Sequence, residues 1–375
     1  MRMYTSLGVG GIEHQMLTLL PRLNAGRYRV SLCLLQQAGE LAGELRSRGI
    51  EVHVLPRLPG RLNPVGLARL GRLFHRTGTR IVHAHTRPVY VPATVAARLF
   101  RIPVVIGTVH SMNRVDGRVR ILQDRILSRW RDATVAVSEG VRRNYCETVG
   151  VDPSRVSVVY NGVDLSRFAG PPPDRVEILG PLGARGDDRV IACVARLDRA
   201  KSHDMLFEAF ATVLARAPRA TLLLVGDGEL SPSLRAEAER LGIAPRVVFA
   251  GMRSDVPRIL RASDVSVLAS NREGFSNVVI ESLAAGLPMV ATDVGGNAEA
   301  IEEGRSGFLV PVGDTVALAE RLATLLTNEP LRARMAAAAR ARAARFSLEQ
   351  AVTATEALYD RLLRARGIEP PAAAK

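Results

Sequence analysis

The sequence predicts an α/β protein in two domains, each a parallel sheet wound with helices, and three observations carry that prediction. Its 375 residues amount to roughly two to three typical domains. Short β-branched runs alternate with stretches of helical spacing through both halves, which implies parallel strands covered on both faces. A proline-rich stretch, Ala169 to Gly186 with Pro171, Pro172 and Pro173, separates the two rounds. Hydrophobic residues at 47% and charged residues at 23% are enough for a buried core and unlike a disordered chain.

Taken in order, the first round places strands at Arg29 to Leu35, Ile50 to Pro56, Arg80 to His85, Pro103 to His110, Ala133 to Ser138 and Val156 to Tyr160. Between them lie helices such as Ile12 to Leu23, where Leu17, Leu20 and Leu23 share one side, and Leu67 to Arg76. The second round places strands at Val190 to Arg196, Thr221 to Gly226, Arg246 to Gly251, Val265 to Ala269, Pro288 to Thr292 and Phe308 to Val312. The construction that follows is two Rossmann-like domains facing a central cleft, residues 1–168 and 187–346, joined by a linker at 169–186. Ligands of such sheets bind beyond the carboxyl ends of the strands, so the loops there should carry the chemistry.

Charge narrows the choice of partners. The net charge is +14, and residues 1–165 hold 24 Lys and Arg against 11 Asp and Glu, which leaves the remainder near neutral. A basic half points to an anionic partner, whether nucleic acid, anionic lipid or a phosphorylated substrate. Aromatic residues at 4% argue against stacking platforms for single strands, and no DNA-reading helix is recognisable. Cys33, Cys146 and Cys193 are far apart without CxxC spacing, which excludes a cysteine zinc site or a disulfide framework and fits a reducing cytosol. No apolar run approaches the roughly 20 residues that span a bilayer, and the start lacks a signal-peptide core, so a soluble or membrane-surface protein of the cytoplasm is expected.

Several loops after strands are unusual. Gly8, Gly10 and Gly11 precede the helix near Ile12, where backbone amides can approach a ligand, although a tight turn accounts for the glycines equally well. The run Ser270 to Asn277 places Glu273 on a loop, offers Ser276 as an N-cap and opens a helix carrying Glu281 about one turn in. Amides at Asn277 and Val278 suit a diphosphate and Glu281 suits two ribose hydroxyls; an ordinary capped helix with early acidic residues is the plain alternative.

Arg196 and Lys201 follow a strand closely enough for both cations to enter one cleft, the arrangement that stabilises a departing diphosphate without a metal. Alone they read equally as a solvated pair. Lys201 is nevertheless the sole internal lysine in a chain whose other bases are arginine, save Lys375. Metal ligands are scarce, because no Asp-x-Asp occurs and the one close histidine pair, His83 and His85, is taken to point to opposite faces of a strand.

Together, Gly10-Gly11, Val194 to Lys201, Leu224 to Glu229, Val248 to Gly251, Glu273 to Glu281 and Ala284 to Gly296 resemble the retaining GT-B glycosyltransferases of family 4. The likeness runs from Leu7 to about Leu363, and its Glu-x7-Glu run is specific. The resemblance implies that Arg196 and Lys201 bind the donor diphosphate and that Gly10 and Gly11 meet phosphate and acceptor. Glu273 would hold hydroxyls of the donor sugar, with Phe275, Asn277 and Val278 lining the site. Glu281 would bind ribose, Gly251, Met252 and Arg253 would border the base, and His110 would lie near the transferred sugar.

The resemblance also implies metal-independent retention, in which the leaving phosphate takes the acceptor proton on the same face, and a nucleoside-diphosphate sugar as co-substrate with no resident cofactor. Two departures stand out: only six residues precede Leu7, so the first strand is short, and Ser276 stands where many relatives have glycine. Ser347 to Leu363 resembles the family's last helix, so residues 347–366 are expected to return to the first domain.

The function expected is transfer of a hexose-type sugar to a lipid-linked or glycan acceptor in cell-surface polysaccharide or glycolipid synthesis. The alternatives are a nucleotide-sugar epimerase or hydrolase of the same architecture, and a charge-driven nucleic-acid binder, disfavoured because the phosphate-directed residues lie in the neutral half. Two basic amphipathic stretches, Pro64 to Arg76 and Gly117 to Trp130, raise the expectation of peripheral association with an anionic inner membrane face; half-buried helices with solvated arginine faces are the plain alternative.

Overall fold

A computed structural model describes residues 1–7, 10–25, 27–39, 41–56, 63–112 and 117–372; Gly8 and Lys375, singled out above, lie outside them. The chain divides into two compact units, Met1–Gly162 with Leu348–Lys375, and Val163–Ser347.

The first unit holds β1 (Arg2–Tyr4), β2 (Ser31–Leu34), β3 (Glu51–Val54), β4 (Ile81–His85), β5 (Val104–Val109), β6 (Ala133–Ala136) and β7 (Val156–Val158). They form one sheet in the order β3-β2-β1-β4-β5-β6-β7, and every pairing is parallel. The short β1 is central: Met3 pairs with Cys33 of β2 and with Ala84 of β4. Helices cover both faces, as parallel strands require. On one side Leu70, Phe74, Ala93 and Ala97 pack over Met3, Val82 and Val105. On the other, Leu17 and Leu20 of the helix Gly11–Ala25 meet Leu32, Leu34 and Ala351.

The second unit holds β8 (Arg189–Val194), β9 (Ala220–Val225), β10 (Val247–Gly251), β11 (Val265–Leu268), β12 (Met289–Thr292) and β13 (Gly307–Val310). Their order is β10-β9-β8-β11-β12-β13, again all parallel. Phe207, Phe210 and Val213 of the helix His203–Arg216 pack over Leu222, Leu224 and Val267.

Several sequence expectations stop one or two residues beyond the observed strands, as at Arg196, where the chain leaves the ladder after Val194. The β-branched run ends there, but propensity does not mark the residue at which a loop turns away. The stretch read as a linker, 169–186, belongs to the second unit and contains the helix Arg175–Leu179, whose N-cap Asp174 accepts from the amides of Val176 and Glu177. Ile178 and Leu179 pack there against Val190 and Ile259, which gives that segment a core position.

The helix Leu348–Arg364 is part of the first unit, where Leu358, Tyr359 and Leu362 are buried against Val104, Ile106 and Val135. Asp360 anchors it, accepting from Arg27 at 2.8 Å and from the Tyr28 hydroxyl. Burial opposes the charged form of this carboxyl, but the Tyr28 and Arg27 bonds outweigh it and hold the group below its usual range. Its stabilising contribution is therefore present above the unfolded-state value and is lost as pH falls through the depressed folded one. Asp360→Asn should lower unfolding free energy by about 2 kcal/mol at neutral pH, the range for bonds to a charged group. In urea titrations repeated from neutral to acidic pH, the gap between the two proteins should close at the acidic end.

Candidate functional site

Strand order reverses once in each sheet, between β1 and β4 and between β8 and β11. Connections leave in opposite directions at such a point, so the carboxyl ends of the two strands open a crevice. In the second unit β8 leads into Ala195 to Lys201 and β11 into Ala269 to Glu273. Lys201 Nζ donates to Glu273 Oε1 at 2.6 Å, and Ser270 Oγ donates to the same oxygen at 2.7 Å. The two charged side chains are 16% and 10% exposed. The loops are stitched together by the backbone amide of Asn271, bonded to Ala200 O at 3.0 Å, and by Asn271 Nδ2 on Arg199 O at 3.2 Å.

Neighbouring loops fix this pair from behind. Gly295 has φ +59°, and a Cβ there would come within 2.4 Å of Glu273 O, so only glycine lets the loop after β12 close on the Glu273 loop. The adjoining Gly296 amide bonds Gly274 O at 2.8 Å, and Thr292 Oγ1 bonds Ser270 O at 2.5 Å. Behind Arg196, a Cβ on Gly226 would lie 2.0 Å from Ala195 O, which forces glycine after β9 as well.

Arg196 does not join Lys201 in a shared pair. Its guanidinium is 71% exposed and bonded to Asp198 at 2.9 Å, so each cation has its own carboxylate. Arg253 likewise grips Asp255 through two bonds of 2.8 Å, next to the exposed Met252 and to Gly251, which ends β10 at φ +65°.

The helix Asn277–Ala285 starts beside this loop with Ser276 at the N-cap position, but the serine hydroxyl makes no capping bond. Phe275 turns inward against Phe346, ring centroids 5.2 Å apart, and Val278 is buried, so neither side chain lines an open surface; Asn277 is half-buried. Glu281 is also half-buried and accepts no hydrogen bond among the described residues. Burial pushes its carboxyl up to about 7, with the positive charge of Arg167 opposing. A half-buried carboxylate without donors among the described residues is suited to a ligand that brings hydroxyl groups.

In the first unit, Gly10 and Gly11 stand at the start of the helix Gly11–Ala25. His110 follows β5, with its Nε2 2.8 Å from His85 Nδ1. The expectation that His83 and His85 face apart is overturned: their rings stack with centroids 4.6 Å apart. Residues two apart on a strand share a face, because side chains alternate with a period of two. His83 contacts the Tyr359 hydroxyl at 2.8 Å and Thr108 Oγ1 at 2.6 Å, while Arg2 Nη1 donates to His85 Nε2 at 2.8 Å. Among the described residues no group of three or more His, Cys, Asp or Glu is placed to hold a metal. From the sequence, Arg2 carried no role, His85 was weighed only as a metal ligand, and Ser270 and Asn271 entered only as part of the loop run. The His-x-His spacing on β4 was the available signal for His85.

A family model for glycosyl transferases group 1 matches residues 174–342, and one for glycosyltransferase family 4 matches residues 9–167. The chain is 33% identical over 303 residues to the D-inositol 3-phosphate glycosyltransferase of Thermobifida fusca, covering 74% of this chain and 69% of that one. It is 28% identical over 333 residues to the lipopolysaccharide core biosynthesis mannosyltransferase LpsB of Rhizobium meliloti, covering 85% and 91%. Among solved structures, Anabaena HepE in complex with UDP-glucose superposes with a TM-score of 0.84 at 26% identity, covering 96% of this chain and 98% of that one.

Proposed function

The chain belongs to the glycosyl transferases of group 1, and from that premise we propose a retaining, metal-independent transfer of a hexose-type sugar from a nucleoside-diphosphate sugar. The acceptor in this reading is lipid-linked or a glycan, within cell-surface polysaccharide or glycolipid synthesis. The observation that carries it is the Lys201–Glu273 pair fixed at the strand-order reversal of the second unit. The UDP-glucose bound by HepE and the lipopolysaccharide role in the name of LpsB support donor class and setting.

The residues divide the work by charge. A departing nucleoside diphosphate gathers negative charge, which Lys201 stabilises as a nearly buried ammonium and Arg196 as an exposed guanidinium able to exchange Asp198 for phosphate. The dipole at the start of the helix Asn277–Ala285 adds to this. Glu273, steadied by Lys201 and Ser270, takes sugar hydroxyls, Glu281 takes ribose, and Gly251, Met252 and Arg253 border the base. In the first unit Gly10 and Gly11 serve phosphate and acceptor, and His110 serves the transferred sugar. The bond from anomeric carbon to phosphate oxygen breaks and the bond to the acceptor oxygen forms on the same face. The acceptor proton passes to the departing phosphate oxygen, so no separate base is required.

Membrane association has one candidate surface. The helix Arg118–Trp130 exposes Val119 at 72%, Leu122 at 55%, Ile126 at 44% and Trp130 at 46%, with Arg118, Arg120 and Arg129 beside them. An apolar ridge flanked by cations suits the interface of an anionic bilayer. The helix Pro64–Arg76 does not, because Leu70 and Phe74 are fully buried and Val65 is the one large apolar side chain it exposes, beside Arg69, Arg72 and Arg76. No helix among the described residues is long and apolar enough to cross a membrane.

A panel of UDP-, GDP- and ADP-sugars followed by thermal shift should reveal one donor series. At 100 times its dissociation constant the donor adds about 2.7 kcal/mol of stability. With that donor, Lys201→Ala should lower kcat about 100-fold or more, and a chelator should leave the rate unchanged; near-normal turnover, or loss on chelation, overturns the reading. Glu281 accepts hydroxyls as a carboxylate, so donor affinity should weaken as pH falls through about 7, and Glu281→Gln should flatten that dependence in calorimetric titrations. Liposomes of rising anionic lipid content at low salt should sediment the wild type, and Leu122→Glu with Trp130→Glu should release it.

A further inference from the structure

The hydrogen bonds around His110 form a directed chain whose first member cannot reverse. Arginine is always protonated and only donates, so Arg2 Nη1 on His85 Nε2 at 2.8 Å makes that nitrogen an acceptor. Neutral His85 then carries its proton on Nδ1, which faces His110 Nε2 at 2.8 Å. That bond in turn occupies the acceptor of His110 and leaves its proton on Nδ1, which has no partner among the described residues. His110 thus ends the chain as a fixed hydrogen-bond donor on a half-exposed ring after β5.

The surroundings hold the chain in this state. Arg2 is 4% exposed and has no carboxylate partner among the described residues; its Nε and Nη2 are buried without a hydrogen bond. Its guanidinium carbon lies 5.7 Å from the centre of the Tyr359 ring, so an aromatic face, and not a carboxylate, meets the charge. Its positive charge opposes protonation of every imidazole near it. Burial first, and Arg2 next, push His110 down to about 3, and burial with His83 and Arg2 keeps His85 well below its ordinary value. His85 is clamped between the rings of Tyr4 at 4.3 Å and His83 at 4.6 Å, and His83 is tied to Tyr359 and Thr108. The ring therefore cannot turn to present its other nitrogen. A cavity of about 40 Å³ beside these groups is lined by Arg2, Gln15, His85, Thr108 and His110.

We propose that Arg2 and His85 are positioning residues that fix His110 as a neutral Nδ1–H donor toward the donor sugar, so that His110 serves by hydrogen bonding and not as a base. This rests on the assignment of His110 to the transferred sugar. The chain of donors itself stands on geometry alone, and the two are tested separately.

The full-length protein, labelled with nitrogen-15 at histidine and with His110 assigned by loss of its signal in His110→Gln, reports the tautomer through its ring nitrogens at pH 7. His110 should show a protonated Nδ1 and an unprotonated Nε2; the opposite tautomer, or an imidazolium, overturns the proposal. Arg2→Met and His85→Leu should mix or invert the tautomers and lower kcat about tenfold with the KM for the donor nearly unchanged. Arg2→Lys keeps a cationic donor, and His85→Asn keeps an amide N–H near the position of Nδ1. Both should restore the wild-type signature and most of the turnover, which a purely structural role would not do. If Arg2→Met changes the tautomer while kcat stays at the wild-type value, the positioning role is overturned. If His110→Gln also leaves kcat unchanged, the failure lies in the assignment of His110, whereas Lys201→Ala reads the glycosyltransferase proposal independently.

Discussion

The single reversal of strand order in each sheet is the constraint from which the rest follows. Lys201 and Glu273 are 72 residues apart in the chain, and they meet because β8 and β11 are hydrogen-bonded neighbours whose following loops diverge from a common edge. Parallel strands are apolar on both faces, so polar groups collect at the carboxyl ends, where the backbone leaves the ladder. The glycines at 226 and 295 extend the same constraint outward. Each lets one loop rest directly on the carbonyl of another, so backbone contacts add to the side-chain bonds that hold the site loops.

That rigidity explains why a lysine stands at 201 in a chain otherwise built with arginine. Lys201 Nζ and Ser270 Oγ both donate to Glu273 Oε1, so the cation is seated on one oxygen of the carboxylate. A guanidinium is shaped to span both oxygens in a plane, whereas an ammonium is a compact charge that satisfies one acceptor from any side. At Arg253, where both Asp255 oxygens are accessible, the two parallel bonds of an arginine appear. The choice of base follows the geometry of its acceptor, even against a background rich in arginine.

The same reasoning sorts what the sequence disclosed. Strand and helix alternation was legible because it rests on hydrophobic periodicity, which is local, and so was the site loop from Ser270 to Glu281, because its residues are consecutive. Interactions between distant segments were not. Arg196 and Lys201 lie five positions apart and invited a joint role, yet Lys201 turns to Glu273, 72 residues away, and leaves Arg196 with the neighbouring Asp198. The linker was misread for a related reason: three prolines signal a break, while Ile178 and Leu179 bury themselves against Val190 and Ile259 from elsewhere in the chain. For the basic helices, composition was equal and burial decided. Phe74 lies in the core, whereas Trp130 is 46% exposed. His83 and His85 were a failure of a different kind, since the period of a strand puts them on one face without any tertiary knowledge.

The two units place different charge arrangements at the same kind of strand-order reversal. At the reversal in the second unit, cations are matched by carboxylates, Lys201 by Glu273 and Arg196 by Asp198. At the reversal in the first unit a buried cation, Arg2, has no carboxylate among the described residues, and burial first, with the Arg2 charge added, opposes protonation of His85 and His110. Neutral donors are the suitable complement to sugar hydroxyls, which carry no charge, and charged groups are the suitable complement to a diphosphate. In the proposed reading, charged groups of the second unit serve the diphosphate and the neutral ring of His110 in the first serves the sugar, each unit using the same kind of fold differently.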